Sequence, residues 1–357
     1  MESSKDPNLS HPTFAMITCA VGAESAVKES ATSDGWRLAF SRPGFVTMKH
    51  EQSTEPPQGV FVRTASRSIG SVRGENSKTL TGKLIEQLEE SLPAKRPFQQ
   101  LHVWPKDRGP IGRFDFEPGP DEVSQAVSEE IFPILKDDWL TCDHPNRIAE
   151  SGDRVLDLVL LEPSHWFLGW HVASDWHSRW PGGIQPITPI EEPVSRAYYK
   201  AAESITWSGF AMRPGDTAIE IGSAPGGACG RLLELGMRVI GIDPAEMDPR
   251  ISENPKFKHI RARAGDLPRK IFRDAKWLLV DSNVIPDKTL TTIENIVTHR
   301  GCMLEGLLVT LKIGNYDAVQ KIEQWHQRIN NWNPSRVRVR QLSRNKVEVC
   351  FAIHFQR

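Results

Sequence analysis

Between residues 216 and 313 short apolar runs alternate with helical segments, and this alternation constrains the fold more than any other feature. "DTAIEIG", "RVIGID", "KWLLVDSN" and "GLLVTLKI" read as strands, with a weaker one over "FKHIRARAGD". "VSRAYYKAAESITW", "GACGRLLELG", "DKTLTTIENIVTHR" and "YDAVQKIEQWHQRINNW" read as helices. Near-continuous apolar strands separated by helices imply a mostly parallel sheet covered on both faces. The closing stretch differs. "RVRVRQL", the turn "SRNK" and "VEVCFAIHF" predict a hairpin that adds an antiparallel element at the sheet edge.

The front half has another pattern. Residues 1–70 read as a small α+β unit: "FAMITCAV" as strand, "GAESAVKESA" as helix, then "WRLAFSRPGFVTMKH" and "GVFVRTA" as strands. Residues 71–185 begin with the amphipathic helix "SKTLTGKLIEQLEESL", whose Leu80, Leu84, Leu88 and Leu92 recur once per turn. "PFQQLHVWPKD" reads as strand and turn, "PDEVSQAVSEEIFPIL" as helix, and "RVLDLVLLEPSHWFLGWHV" as two strands around a turn. The proline- and glycine-rich "HSRWPGGIQPITPIEEPVSR" reads as a linker, with a boundary near residue 186.

Composition narrows the class. The 357 residues are enough for two or three domains, and 39% hydrophobic with 25% charged residues is ordinary for a soluble protein. No apolar run approaches the roughly 20 residues of a membrane helix. The start "MESSKDPNLSHPTF" lacks an apolar signal core, so a cytoplasmic protein is expected. Cys19, Cys142, Cys229, Cys302 and Cys350 are scattered, without zinc-site spacing, and read as reduced thiols. A net charge of −1 leaves a nucleic-acid partner open. Arg336 to Lys346 holds five basic residues and no acidic one, either a charge-guarded edge strand or an RNA-facing one. His165, His171, Asp175 and His177 lie among Trp166, Trp170, Trp176 and Trp180. Their spacing fits no compact ligand pair, so no metal is expected. They read as core or interface tryptophans with incidental histidines, although an exposed tryptophan can stack on RNA.

The stretch "IEIGSAPGG" places a glycine loop after the strand "AIEI", where open α/β sheets bind ligands. Its G-x-x-x-G-G spacing is neither the dinucleotide fingerprint nor a P-loop, which argues against a dinucleotide-dependent oxidoreductase. Pro225 removes an amide that a phosphate cradle would use. Asp243 ends the next strand, where a carboxylate can take both ribose hydroxyls. Asp266 ends the third, within reach of an adenine amino group. Either aspartate alone is equally a cap or turn former. Together with the loop they read as an S-adenosylmethionine site.

"AIEIGSAPGGACGRLL" resembles the cofactor loop of the FtsJ-like ribose 2′-O-methyltransferases. Lys200 in "SRAYYKAAES", Asp281 in "WLLVDSNVIP", Lys312 in "LLVTLKIGN" and Glu348 in "RNKVEVCF" match that family's Lys-Asp-Lys-Glu tetrad. "EEPVSRAYYK" and "VRQLSRNKVEV" resemble the RlmM-like branch, which acts on 23S rRNA. The resemblance implies a Rossmann-like class I methyltransferase domain over residues 186–357, with a mostly parallel sheet and an antiparallel last strand. It implies a ferredoxin-like domain over 1–70 and a THUMP-like RNA-binding domain with linker over 71–185. It also implies that Glu220, Gly222, Ser223, Ala224, Pro225, Gly226, Gly227, Asp243, Asp266 and Asp281 hold S-adenosylmethionine. Lys312 would be the base and Lys200 a second cation. Asp281 would orient Lys312, and Glu348 would position Lys200. The implied partner is RNA, large-subunit rRNA or its precursor particle, with no membrane and no obligate protein partner. The alternative is a non-catalytic RNA-binding assembly protein of the same descent. Ala228 stands where the family commonly has an aromatic, Glu220 where it often has Asp, and Val194 separates Pro193 from Ser195.

Overall fold

The computed structural model describes residues 12–92, 97–174, 177–317 and 319–356. The chain forms two units, Met1–Gln185 and Pro186–Arg357. In the first, strands β1 (Thr13–Thr18), β2 (Arg37–Arg42), β3 (Phe45–His50), β4 (Thr64–Arg73), β5 (Gln100–Pro105), β6 (Arg154–Glu162) and β7 (His165–Val172) build one sheet. Their order is β2-β3-β1-β4-β7-β6-β5, antiparallel except for the β5/β6 pair. Helices α1 (Glu24–Ser33), α2 (Ser77–Ser91) and α3 (Glu122–Trp139) complete the unit. Residue 70, where the sequence pattern changes, lies inside β4, which pairs with β1 on one edge and β7 on the other. β4 starts at Thr64 and continues through "SRSIGSVR", later and longer than "GVFVRTA" predicts. Only Ser66 and Val72 of this strand are buried, so it carries no apolar alternation to signal it.

The leucine stripe of α2 is used as its spacing predicts. Leu80, Leu84 and Leu88 pack with Ile131 and Leu135 of α3 over Leu101, Val103, Leu156 and Leu158 of the sheet. Asn76 caps α2 by accepting the Thr79 amide at 2.9 Å. Asp121 and Ser124 form a capping box at the start of α3. Asp175 and Trp176, members of the histidine and tryptophan cluster, lie outside the described residues. All five cysteines are buried thiols.

The second unit contains β8 (Thr217–Ile221), β9 (Arg238–Ile242), β10 (Phe257–Ile260), β11 (Trp277–Asp281), β12 (Gly306–Lys312), β13 (Arg336–Arg340) and β14 (Glu348–His354). Helices α4 (Ala197–Ser208), α5 (Gly227–Glu234), α6 (Pro249–Ser252), α7 (Pro286–Val297) and α8 (Val319–Asn330) connect or cover them. The order is β10-β9-β8-β11-β12-β14-β13. β8 to β12 are parallel, while β14 runs antiparallel between β12 and β13. Strand order reverses between β8 and β11, opening a crevice at their carboxyl ends. Ile219, Leu278, Leu307, Val309 and Phe351 are fully buried, as strands covered on both faces require. β10 ends at Ile260 and does not extend through "RARAGD", because the arginines that follow leave the sheet for solvent.

The basic strand resolves into separate uses. Arg338 donates to the carbonyls of Trp207 and Ser208 at 2.6 Å each and lies over the Trp207 ring. It thereby satisfies orphan carbonyls at the end of α4. Arg336 is exposed. Among the described residues no helix is long and apolar enough to cross a membrane.

Candidate active site

The glycine loop follows β8 directly. Gly222 has φ +85°, and a Cβ there would sit 2.3 Å from the Asp281 carbonyl oxygen. Only glycine lets the ends of β8 and β11 come this close. Gly227 opens α5, and a Cβ on it would meet Ser195 Oγ at 2.3 Å. Gly226, at φ +123°, turns the chain against Ile251. The Ala224–Pro225 peptide is cis. Ser223 is buried, and its hydroxyl donates to the Met247 sulfur at 3.6 Å.

The acids expected beside this loop differ in placement. Asp243 is half-buried just beyond β9. Its Oδ2 accepts the Ala224 amide at 3.3 Å and its Oδ1 the Ala245 amide at 2.8 Å, which ties it to the loop. Asp266 does not end a strand. Since β10 stops at Ile260, Asp266 lies in a later 3-10 turn and is exposed.

Glu220 is 2% exposed beneath the loop, where its Oε2 accepts the Cys229 thiol at 2.9 Å. Burial pushes its carboxyl up to about 8, with Asp281 and Asp243 adding to the rise against the Cys229 contacts. The folded state therefore holds a proton that the unfolded chain releases near 4.5. The associated stability is fully present below that value and is lost as pH rises through about 8. Glu220→Gln removes this dependence. In urea unfolding from pH 4.5 to 8, its stability relative to wild type should grow by roughly 2–5 kcal/mol. A difference that does not change with pH would show that Glu220 is charged in the fold.

Three of the four tetrad candidates meet directly. Lys200 Nζ, on α4, donates to Asp281 Oδ2 at 2.8 Å and to Glu348 Oε2 at 2.7 Å. Burial alone would lower the Lys200 ammonium, but Asp281 and Glu348 outweigh it and hold its pKa above the ordinary lysine value. Burial likewise acts to raise Glu348, and Lys200 outweighs it, keeping that carboxyl below its usual range. Lys200 is thus a cation at neutral pH. Lys312 is the cross-strand partner of Glu348 in the β12/β14 pair. It ends its strand exposed, rather than buried as the apolar run "LVTLKI" suggests. Its ammonium donates to Asn283 Oδ1. Asp281, expected to orient Lys312, binds Lys200 instead.

Residues beyond the sequence reading support this group. Glu203, one turn after Lys200 on α4, accepts the Ser343 amide at 2.7 Å, the Ser343 hydroxyl at 2.5 Å and the Arg344 amide at 3.1 Å. These bonds fix the turn before β14. In that turn Asn345 is 2% exposed and donates to Glu348 Oε2 at 3.3 Å. Asn283 follows Asp281 and holds Lys312. A buried acid one turn from a tetrad lysine was the only signal in the sequence for any of them. A small cavity of about 30 Å³ lies between Lys200, Glu220, Asp281, Thr310 and Asn345.

The glycine loop and the tetrad positions fall within one continuous segment of similarity. Residues 193–357 match the FtsJ-like methyltransferase family. The FtsJ-like segment accounts for most of the second unit. Relatives extend the likeness forward. The chain is 24% identical over 180 residues to the ribosomal RNA large subunit methyltransferase M of Aromatoleum aromaticum, covering 48% of each chain. It is 24% identical over 280 residues to the protein of that name from Halorhodospira halophila, covering 74% of this chain and 75% of the relative. It is 32% identical over 146 residues to that of Laribacter hongkongensis, covering 39% of this chain and 40% of the relative. The first and third of these alignments span less than half of the relative's own length.

Proposed function

We propose that the FtsJ-like unit methylates a ribose 2′-hydroxyl of RNA, in large-subunit rRNA or its precursor particle, with S-adenosylmethionine as methyl donor. The observation that carries this reading is the Lys200 ammonium clamped between Asp281 and Glu348, with Lys312 opposite Glu348, at the crevice beside the glycine loop. The donor set fits a nucleoside. Asp243, tied to the loop by the Ala224 amide, is an acceptor for ribose hydroxyls, and Pro225 offers no amide to a phosphate. Asp243 and the loop residues Gly222 to Gly227 would hold S-adenosylmethionine, with Asp266 beyond them. Bound there, it supplies an electrophilic methyl carbon.

The residues of the chain supply the rest. A 2′-hydroxyl is a weak nucleophile and needs a base within hydrogen-bond reach. Lys312, at the strand end, is placed as the base that takes the proton of the hydroxyl. Lys200 stays charged and stabilises the oxygen as negative charge builds on it. Asp281 and Glu348 keep Lys200 protonated and aimed, and Asn283 orients Lys312. We place RNA recognition in the front unit, with ferredoxin-like residues 1–70 and THUMP-like residues 71–185, in a cytoplasmic protein that acts without an obligate protein partner. The names of the relatives support an RNA substrate.

The purified chain, incubated with ribosomal RNA and methyl-labelled donor, should leave label in an alkali-resistant dinucleotide, the mark of a 2′-O-methyl group. Label on a base would overturn the reading. Asp243→Ala should weaken S-adenosylmethionine binding by about 10–100-fold in calorimetry, the loss of hydrogen bonds to a charged acceptor. RNA affinity should be unchanged; the reverse pattern would misplace the ribose.

A further inference from the structure

A cavity of about 370 Å³ opens in the front unit, between the sheet and the segments around Pro56 and Ser178. It belongs to the histidine and tryptophan cluster that the tetrad chemistry leaves unused. Its lining includes Asp157 of β6, which is 0% exposed. Asp157 Oδ2 accepts the Ser66 hydroxyl at 2.5 Å and faces Nδ1 of His171 at 2.5 Å. His171 Nε2 lies 2.7 Å from the Ser178 carbonyl. A carbonyl only accepts, so Nε2 donates to Ser178, and Nδ1 shares one hydrogen with Asp157 Oδ2.

This arrangement excludes several ligands. Ser66 bonds the carboxylate and not the imidazole, and both imidazole nitrogens are engaged, so the three residues are no nucleophile relay. An anion is disfavoured, because Asp157 and Glu55 both line the cavity and Arg67 is paired with Glu55 at 2.6 Å. Among the described residues no cluster of His, Cys, Asp or Glu is placed to hold a metal ion.

The described lining includes an open acceptor and an open donor. Asp157 Oδ1 and the indole Nε1 of Trp104 are buried without a hydrogen-bond partner, and both residues line the cavity. Trp104 is 3% exposed. Buried polar atoms are nearly always matched, so each points to a missing partner. Trp104 and Trp180 add flat apolar surface. A ligand that donates to a carboxylate, accepts from an indole and is itself flat is a nitrogen heterocycle. The edge of a nucleobase carries such a donor beside an acceptor.

We propose that this cavity receives a single nucleobase turned out of an RNA strand, held by Asp157 and Trp104. The proposal rests on the RNA substrate of the preceding section. The test uses the full chain without methyl donor and RNA pentamers of each base, with the central nucleotide intact or abasic. For at least one base the intact pentamer should bind about tenfold tighter than its abasic form. Asp157→Asn, which keeps the side-chain shape, should shrink that gap to about twofold or less. Wild-type protein tests the same point without a variant. A central thio-substituted base should photo-crosslink to the peptides containing Trp104 or Trp180. Equal affinity for intact and abasic pentamers, or crosslinks confined to residues 186–357, would overturn the proposal and leave water as the partner of both atoms. Neither readout needs methyl transfer. Base-dependent binding without methylation would overturn the methyltransferase reading alone, and methylation with no abasic penalty would overturn this one alone.

Discussion

Lys312→Ala should lower the rate of methyl transfer by about 10²–10⁴-fold, the range for loss of a positioned general base, and should leave S-adenosylmethionine affinity nearly intact. The asymmetry follows from position. Lys312 ends β12 exposed, bonded to Asn283 and across from Glu348, whereas the glycine loop and Asp243 follow β8 and β9. Removing an exposed lysine leaves no buried charge unpaired, so the fold should be almost unaffected. Single-turnover rates alongside calorimetric titration of the donor separate the two effects. Wild-type turnover in the alanine variant would remove Lys312 as the base, and a matching loss of donor affinity would move it into the cofactor site.

Lys200→Met should act on both stability and rate. Its ammonium sits between Asp281 and Glu348, with the three side chains 17%, 28% and 10% exposed. Breaking a buried ion pair by removing one partner leaves the other charge uncompensated, at about 3 kcal/mol or more. The pH dependence carries the sign. Glu348 is held below its ordinary 4.5, so its contribution is present above that pH and is lost as pH falls through its folded value. Lys200 is held above its ordinary 10.5, so its contribution is present below that pH and is lost as pH rises through its folded value. The variant's deficit should therefore be largest in the neutral range and shrink in acid. Adding Glu348→Gln should recover part of it by neutralising the stranded carboxylate. A deficit under about 0.5 kcal/mol at pH 7 would mean that the pair behaves as a solvated surface contact.

Much of the second unit was legible because its signals are local. The strands "AIEI", "RVIGI" and "WLLVD" are buried on both faces and carry continuous apolar runs. β4 was the opposite case. Its place between β1 and β7 rests on main-chain pairing and on the Ser66–Asp157 bond, and neither leaves a hydrophobic period. The arginines of "RVRVR" show a similar limit. Alternation places them on a strand, but only the packing of α4 beside it makes Arg338 a cap for carbonyls far away in sequence.

The candidate site divides along the same line. Sequence alone determined the strand and helix rhythm and the glycine loop, since these depend on residue type and short spacing; the two lysines and two acids were named through the family resemblance. Tertiary structure decided their partners. Because β14 inserts antiparallel between β12 and β13, Glu348 comes to lie opposite Lys312 and within hydrogen-bond distance of Lys200. That geometry gives Asp281 to Lys200 and Asn283 to Lys312, and it leaves Lys200 charged and Lys312 open to solvent. Which charge is compensated depends on distance and burial, and both are set only when strands far apart in the chain are side by side.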